Sequence, residues 1–232
     1  MTPYPFDHKD KFESLWEHLK GNHKKIIAVD SEYRPKEGGI VDVVCFVYQD
    51  VFNPKDVFKY WTADKRFNDP PFDFRRCLII PFKAVAEGHS WLHLLQGMPN
   101  NIWDTYVENA RLYKTFRSGK GALDLLTTAQ HYGITEVMTK EHKTEMRNMV
   151  IENETYTAEQ REQILDYCLD DVELTRKVFL EQVKDIEKKN NLKTEEDYKT
   201  EISQILFRGA SQLHVAKIEK AGIDIDYPRV MD

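Results

Sequence analysis

Lys24 to Arg34 reads KKIIAVDSEYR, an apolar run that stops on two acids. Ile26 to Val29 are too few for a buried helix and too apolar for a loop, so Ile26–Glu32 reads as a buried strand. Strand side chains alternate between faces, which sends Asp30 and Glu32 out of the same side. Carboxylates at the C-terminal end of a strand stand where open α/β sheets bind ligands. Two of them side by side repel unless a cation lies between them. The bland alternative is a pair of solvated strand-end acids helped by nearby lysines.

Further strands and helices follow that run. Phe12, Leu15, Trp16 and Leu19 have helical spacing, which predicts a helix over 10–19. Ile40–Tyr48 and Val57–Trp61 read as strands, with Gly38-Gly39 as a turn between the first two. Cys77–Ala86 reads as a fourth strand, with Pro81 implying a bulge or an edge. A helix over Glu87–Gln96 follows, then a short strand over 102–105 leading into a helix over Tyr106–Phe116. Ala122–Tyr132 reads as a helix stopped by Gly133, and Lys140–Val150 as another. Thr157 and Gln160 form a capping-box pattern that opens a long helix to about Glu187. Lys188–Thr194 is a polar link, and 196–221 is helical to Gly222. Strands first and helices last predict an α/β fold, a mixed sheet flanked by helices.

Size and composition fit one such domain with an extension. The chain has 232 residues, 41% hydrophobic and 12% aromatic, enough to build a core. No apolar run reaches 18 residues, so no membrane span is expected. The N-terminus lacks a basic segment followed by an apolar one, so no secretory signal is expected. Cys45, Cys77 and Cys168 form no C-x-x-C pair and are odd in number, which argues against disulfides and zinc knuckles and for a cytoplasmic protein. The net charge of −6 disfavours a general nucleic-acid binder. It does not exclude a nuclease, because divalent cations reverse the sign at an acidic site.

The long helix brings a second set of acids. In ILDYCLDDVELTRKVF, Tyr167 and Asp171 are four apart and share a face. Ile164, Cys168 and Val172 form an adjacent apolar stripe that would bury the helix against the sheet. Asp166 and Asp170 fall on other faces and read as solvated surface. Tyr167 and Asp171 have their own bland reading, a core-edge tyrosine beside a solvated acid.

VDSEYR together with YCLDD resembles the first and third motifs of the D-E-D-D 3′–5′ exonucleases, in their tyrosine version. WDTYVENARLY followed by GALDLLTTAQHYGI resembles the stretch after the second motif in proofreading domains of family A DNA polymerases. LFRGASQLHVAKIEKAGIDID resembles the junction where such a domain enters its polymerase. The resemblance spans roughly Lys25 to Asp226. It implies a ribonuclease-H-like fold over 1–190, with 191–232 a linker and helix leading toward a polymerase domain.

The second motif departs from the family pattern. Asp104, with Asn100 and Trp103 before it, fits the letters. Glu87, at an expected strand-to-helix junction, fits the topology, and Asp104-Thr105 fits a later Asp-Thr of the family. Glu87 therefore ranks above Asp104. A third register aligns Trp91 with the motif's aromatic and leaves Leu92 where the acid belongs. The bland roles are an acid on a helix dipole for Glu87 and a helix cap for Asp104.

The resemblance implies a two-metal phosphodiester hydrolase working on the single-stranded 3′ end of DNA. Two ions about 3.5–4 Å apart need converging carboxylates, and hard oxygen donors favour Mg²⁺ or Mn²⁺. It implies that Asp30 bridges both ions, Glu32 and Asp171 complete one, and Glu87 holds the other. Tyr167 would orient the attacking water, since a free phenol has a pKa of about 10. A glutamate in place of an aspartate moves the carboxylate by about 1.5 Å, enough to weaken the second ion. Arg111, Lys114, Arg117 and Lys120, interleaved with Tyr113 and Phe116, offer a grip on phosphates and bases; the bland reading is a solvated helix face. The rival functions are an RNA-trimming exonuclease and a silent fold kept as a nucleic-acid-binding module.

Overall fold

A computed structural model describes residues 14–36, 41–62, 72–94, 97–113, 124–135 and 138–222. The strands are β1 (Lys25–Pro35), β2 (Val41–Asp50), β3 (Val57–Trp61) and β4 (Cys77–Ile80). The helices are α1 (Leu15–Asn22), α2 (Ala84–His93), α3 (Thr105–Tyr113), α4 (Leu125–His131), α5 (Lys140–Glu152), α6 (Ala158–Lys189) and α7 (Glu195–Ala221). The Gly38-Gly39 turn lies outside the described residues. Among the described residues no helix is long and apolar enough to cross a membrane.

The four strands form a mixed sheet in the order β3-β2-β1-β4. β1 runs antiparallel to β2, β2 antiparallel to β3, and β1 parallel to β4. Asp30 pairs with Val47 and Glu32 with Cys45, and the register shifts between Glu32 and Tyr33. Such an irregularity re-aims side chains, and here it falls immediately beyond the second acid.

β1 is buried on both faces because its side chains feed two cores. Ile26 and Ala28 meet Ile164, Cys168, Val172 and Phe179 of α6 in one. Ile27 and Val29 meet Ala84 and Trp91 of α2 and Leu213 of α7 in the other. The sheet thus lies between α6 and the α2/α7 pair, which explains the run of four apolar residues in place of an alternating pattern. Tyr198, Ile202 and Ile205 carry the first half of α7 into the α6 core. The boundary expected near 190 falls on the tight turn between α6 and α7, where Asn191 takes a φ of 50°.

Local signals set the ends of α6. The Thr157 hydroxyl accepts from Gln160 N while the Gln160 side chain accepts from Thr157 N. About two turns before the C-terminal end of α6, Gln182 is fully buried and doubly used. It accepts from Trp103 Nε1 at 3.1 Å and donates to Thr105 O at 2.7 Å, tying α6 to the start of α3.

Three expected boundaries are corrected. The fourth strand stops at Ile80 instead of running to Ala86, because Pro81 has no N–H for the ladder. Its carbonyl accepts from the backbone N and the hydroxyl of Thr105, at 3.1 and 2.9 Å. α2 consequently begins at Ala84, which places Glu87 in its first turn, past the strand-to-helix junction. The short strand expected over 102–105 reduces to one parallel bridge from Ile102 to Ile79, since Thr105 already belongs to α3.

Candidate functional site

Asp30 and Glu32 project from β1 toward α6, as strand alternation requires. Their carboxylate oxygens and the Cys168 sulfur lie within 4.8 Å of one another. Cys168 Sγ donates to Asp30 Oδ2 at 3.4 Å. α6 delivers Tyr167 and Asp171 to the same place, both buried. Asp166 and Asp170 are exposed, as their helix faces predict, and Asp166 pairs with Lys59. Asp30 and Glu32 are only partly covered, so the cluster keeps an opening to solvent.

Its electrostatics are those of too many acids in too little water. Burial, then the charge of Asp171, pushes the Asp30 carboxyl up to about 7. Glu32 is held well above the usual carboxylate range, by burial first and Asp30 second. Burial also raises Asp171, against the pull of Lys143. The Tyr167 phenol, buried beside Asp171, Glu32 and Asp30, is raised far above its ordinary value, so it holds its proton and is not a base.

The cation facing these acids is Lys143 of α5. Its Nζ donates to both oxygens of Asp171, at 2.8 and 2.6 Å, and stands 5.7 Å from the Tyr167 ring centre. Sequence reasoning missed it. Lys143 lies amid polar residues in KEHKTEM, and a contact 28 residues away leaves no local pattern. Cys168 was also missed as a polar group, having been assigned to the apolar stripe. Its sequence position between Tyr167 and Asp171 was the available signal.

Glu87 and Asp104 separate cleanly. Glu87 is buried, its Oε2 has no hydrogen-bond partner, and Asp30 is the charge that acts on it most strongly. Burial and that neighbour hold its carboxyl well above the usual range. Asp104 is also buried, yet both oxygens are occupied by backbone. Oδ1 accepts from Tyr106 N and Val107 N at 3.0 and 3.1 Å, and Oδ2 accepts from Ala84 N at 2.8 Å. One carboxylate thus caps α3 and steadies the start of α2. Burial lifts it to about 6 while these three N–H groups pull it down. Trp91, the aromatic of the third register, stacks on Phe46 in the core.

A stability comparison follows from this contrast. Asp104→Ala strands one buried and two part-buried N–H groups and should cost about 2–3 kcal/mol. Glu87→Gln keeps the shape and removes a buried like charge, so the metal-free protein should be as stable as wild type or more so. Thermal unfolding followed by circular dichroism reads both; an equal loss in the two variants would contradict the assignment.

The basic face expected on α3 is used differently. Arg111 donates to Glu108 at 2.8 Å and to Glu201 of α7 at 2.7 Å, and Arg208 of α7 also binds Glu108. The guanidinium therefore braces α3 against α7. Lys114, Arg117 and Lys120 lie outside the described residues. An open groove of about 770 Å³ runs along α5. It faces away from Lys143, and its acids Glu141, Glu145 and Glu152 are exposed.

No protein-family model and no curated protein matches this chain.

Proposed function

We propose that this chain is a metal-dependent 3′–5′ exonuclease that hydrolyses DNA phosphodiesters from a single-stranded 3′ end. The carrying observation is a cluster of acids: Asp30 and Glu32 of β1 stand together at one partly open spot, and the charges of Asp171 on α6 and Glu87 on α2 interact with that of Asp30. Lys143 offsets part of the repulsion at Asp30, Glu32 and Asp171, and Lys83 part of it at Glu87; divalent cations relieve such crowding. The orphaned Glu87 Oε2 and the mostly oxygen donor set suit Mg²⁺ or Mn²⁺. The mixed sheet, with β1 an inner strand antiparallel to β2 on one side and parallel to β4 on the other, supports a ribonuclease-H-like reading. The matching motifs extend the proposal to the proofreading part of a family A DNA polymerase, and the buried free thiols suit a reducing cytoplasm.

Bound by these four carboxylates, two such ions would neutralise the phosphate and acidify water. The chain's own residues do the rest. Tyr167, which keeps its proton, would orient the attacking water from beside Asp171. Lys143 sits against Asp171 and would offer positive charge to a phosphate oxygen there.

Lys143 must give up at least one contact before Asp171 can hold a cation. Lys143→Gln should therefore tighten Mn²⁺ binding by about tenfold, or 1.4 kcal/mol. Calorimetry at pH 7.5 measures it; weaker binding in the variant would make Lys143 a support of the metal site instead of its competitor.

The proposal is tested by incubating the protein with single-stranded DNA and RNA in Mg²⁺, Mn²⁺ or EDTA. Shortening of DNA that stops in EDTA is expected. Shortening of RNA alone would move the substrate to RNA, and cleavage of neither polymer would leave only a binding module.

A further inference from the structure

The acid cluster contains a donor that a purely hard-metal site does not need. Cys168 is fully buried, points at Asp30 Oδ2 from 3.4 Å, and lies within 4.8 Å of oxygens of both Asp30 and Glu32. A tetrahedral ion with ligands at about 2.0–2.3 Å wants its donors about 3.5 Å apart, so a modest inward movement of three side chains would enclose one. A further buried oxygen has no hydrogen-bond partner, Glu87 Oε2, and Asp30 is the charge that acts most strongly on its carboxyl. Two carboxylates, a thiol and an orphaned oxygen make a mixed set, and sulfur shifts the preference of such a set toward borderline and soft ions.

We propose that Asp30, Glu32 and Cys168 form a site for one thiophilic divalent cation, Zn²⁺ in the cell, overlapping the hard-ion site. The Zn–S bond forms as the Cys168 S–H bond breaks, and the proton passes to solvent. One thiolate and two carboxylates then face a doubly charged ion, with the fourth position left to Glu87 or water. Zn²⁺ held this way occupies the oxygens that Mg²⁺ would use, so the two ions compete, and zinc holds the enzyme silent until it is removed. The inference uses the same acids as the nuclease proposal, but its chemistry does not require nuclease activity.

The test uses the full chain, kept reduced with a phosphine and titrated with Cd²⁺ alone as the spectroscopic stand-in for Zn²⁺. A thiolate-to-cadmium charge-transfer band should rise and saturate at about one equivalent. It should vanish in Cys168→Ser, weaken by about tenfold or more in Asp30→Asn, and persist in Cys77→Ser. Excess Mg²⁺ should weaken the apparent Cd²⁺ affinity. Circular dichroism confirms that each variant is folded; if Cys168→Ser is not, Cys168→Ala replaces it. No band in wild type, a band that survives in folded Cys168→Ser or Cys168→Ala, or one lost in Cys77→Ser, overturns the proposal. A normal band with no cleavage of DNA or RNA would sink the nuclease reading and leave this one standing. Cleavage in Mg²⁺ with no cadmium band would do the reverse.

Discussion

Asp30→Asn should abolish hydrolysis of a 3′ end and, in the same preparation, raise the thermal stability of the metal-free protein. The loss of activity should be about 10³-fold or more, some 4 kcal/mol of transition-state stabilisation, because Asp30 is the acid that all the others surround. The gain in stability has a separate cause. Burial and Asp171 hold the Asp30 carboxyl near 7, above the 3.8 it has when unfolded. A raised carboxyl contributes stability that is fully present below pH 3.8 and is lost as pH rises through about 7. Glu32 and Glu87, raised in the same direction, add to the loss. His23, lowered to about 4 by burial, works the other way, but only as pH falls below its unfolded value of 6.5. The clean window is therefore pH 6.5 to 8.5, where the unfolding midpoint of wild type in EDTA should drop. Asp30→Asn should flatten that slope, and Mg²⁺ should raise the midpoint of wild type but hardly that of the variant. A steeper slope in the variant would mean that the carboxylate is not the strained group.

Gly209→Ala should be more damaging than Gly88→Ala, the other close-packed glycine described. A Cβ at Gly209 would stand 2.2 Å from Ile102 O and 2.8 Å from Ile102 C. Neither atom is the tip of a flexible side chain; both are backbone at the bridge that extends the sheet beyond β4. Ile102 is itself fully buried, so α7 must lift away. Gly88 of α2 is more forgiving, since its closest neighbour at 2.8 Å is the Ala216 methyl. Overpacking of this kind costs roughly 3 kcal/mol, about 10 °C in Tm for a chain this long. α7 also backs α2 through Lys220, whose Nζ donates to Leu92 O at 2.8 Å. Displacing α7 therefore shifts the helix that carries Glu87, and weaker metal binding should accompany the lower Tm. A Tm within a degree or two of wild type would contradict this packing.

These particulars also mark what the sequence made legible. β1, β2 and β3 are written in apolar, β-branched runs, and α6 in a capping box with a long apolar stripe. The pairing of Asp30 with Glu32, and of Tyr167 with Asp171, follows from periods of two and of 3.6. The end of β4 was misplaced because an apolar run continues past Pro81 while the hydrogen-bond ladder does not. Glu87 was ranked ahead of Asp104 for a strand-to-helix junction that lies three residues earlier. Asp104 has both oxygens on backbone N–H groups and Glu87 has one on nothing, a difference of tertiary packing that no short sequence window records. Lys143 had no local signature. An ammonium opposite a carboxylate on another helix is a fact of tertiary packing, and neither charge pattern nor periodicity encodes it.

The most direct measurement is a time course on single-stranded DNA labelled at its 5′ end, beside the same strand labelled at its 3′ end, in Mg²⁺. A 3′–5′ exonuclease turns the 5′ label into a ladder that shortens one nucleotide at a time and releases the 3′ label as a mononucleotide in the first turnover. Both signals should disappear in EDTA and in Asp30→Asn. Intact strands from wild type in Mg²⁺ and in Mn²⁺, or cleavage that continues in folded Asp30→Asn, would contradict the claim that these converging acids are a nuclease site.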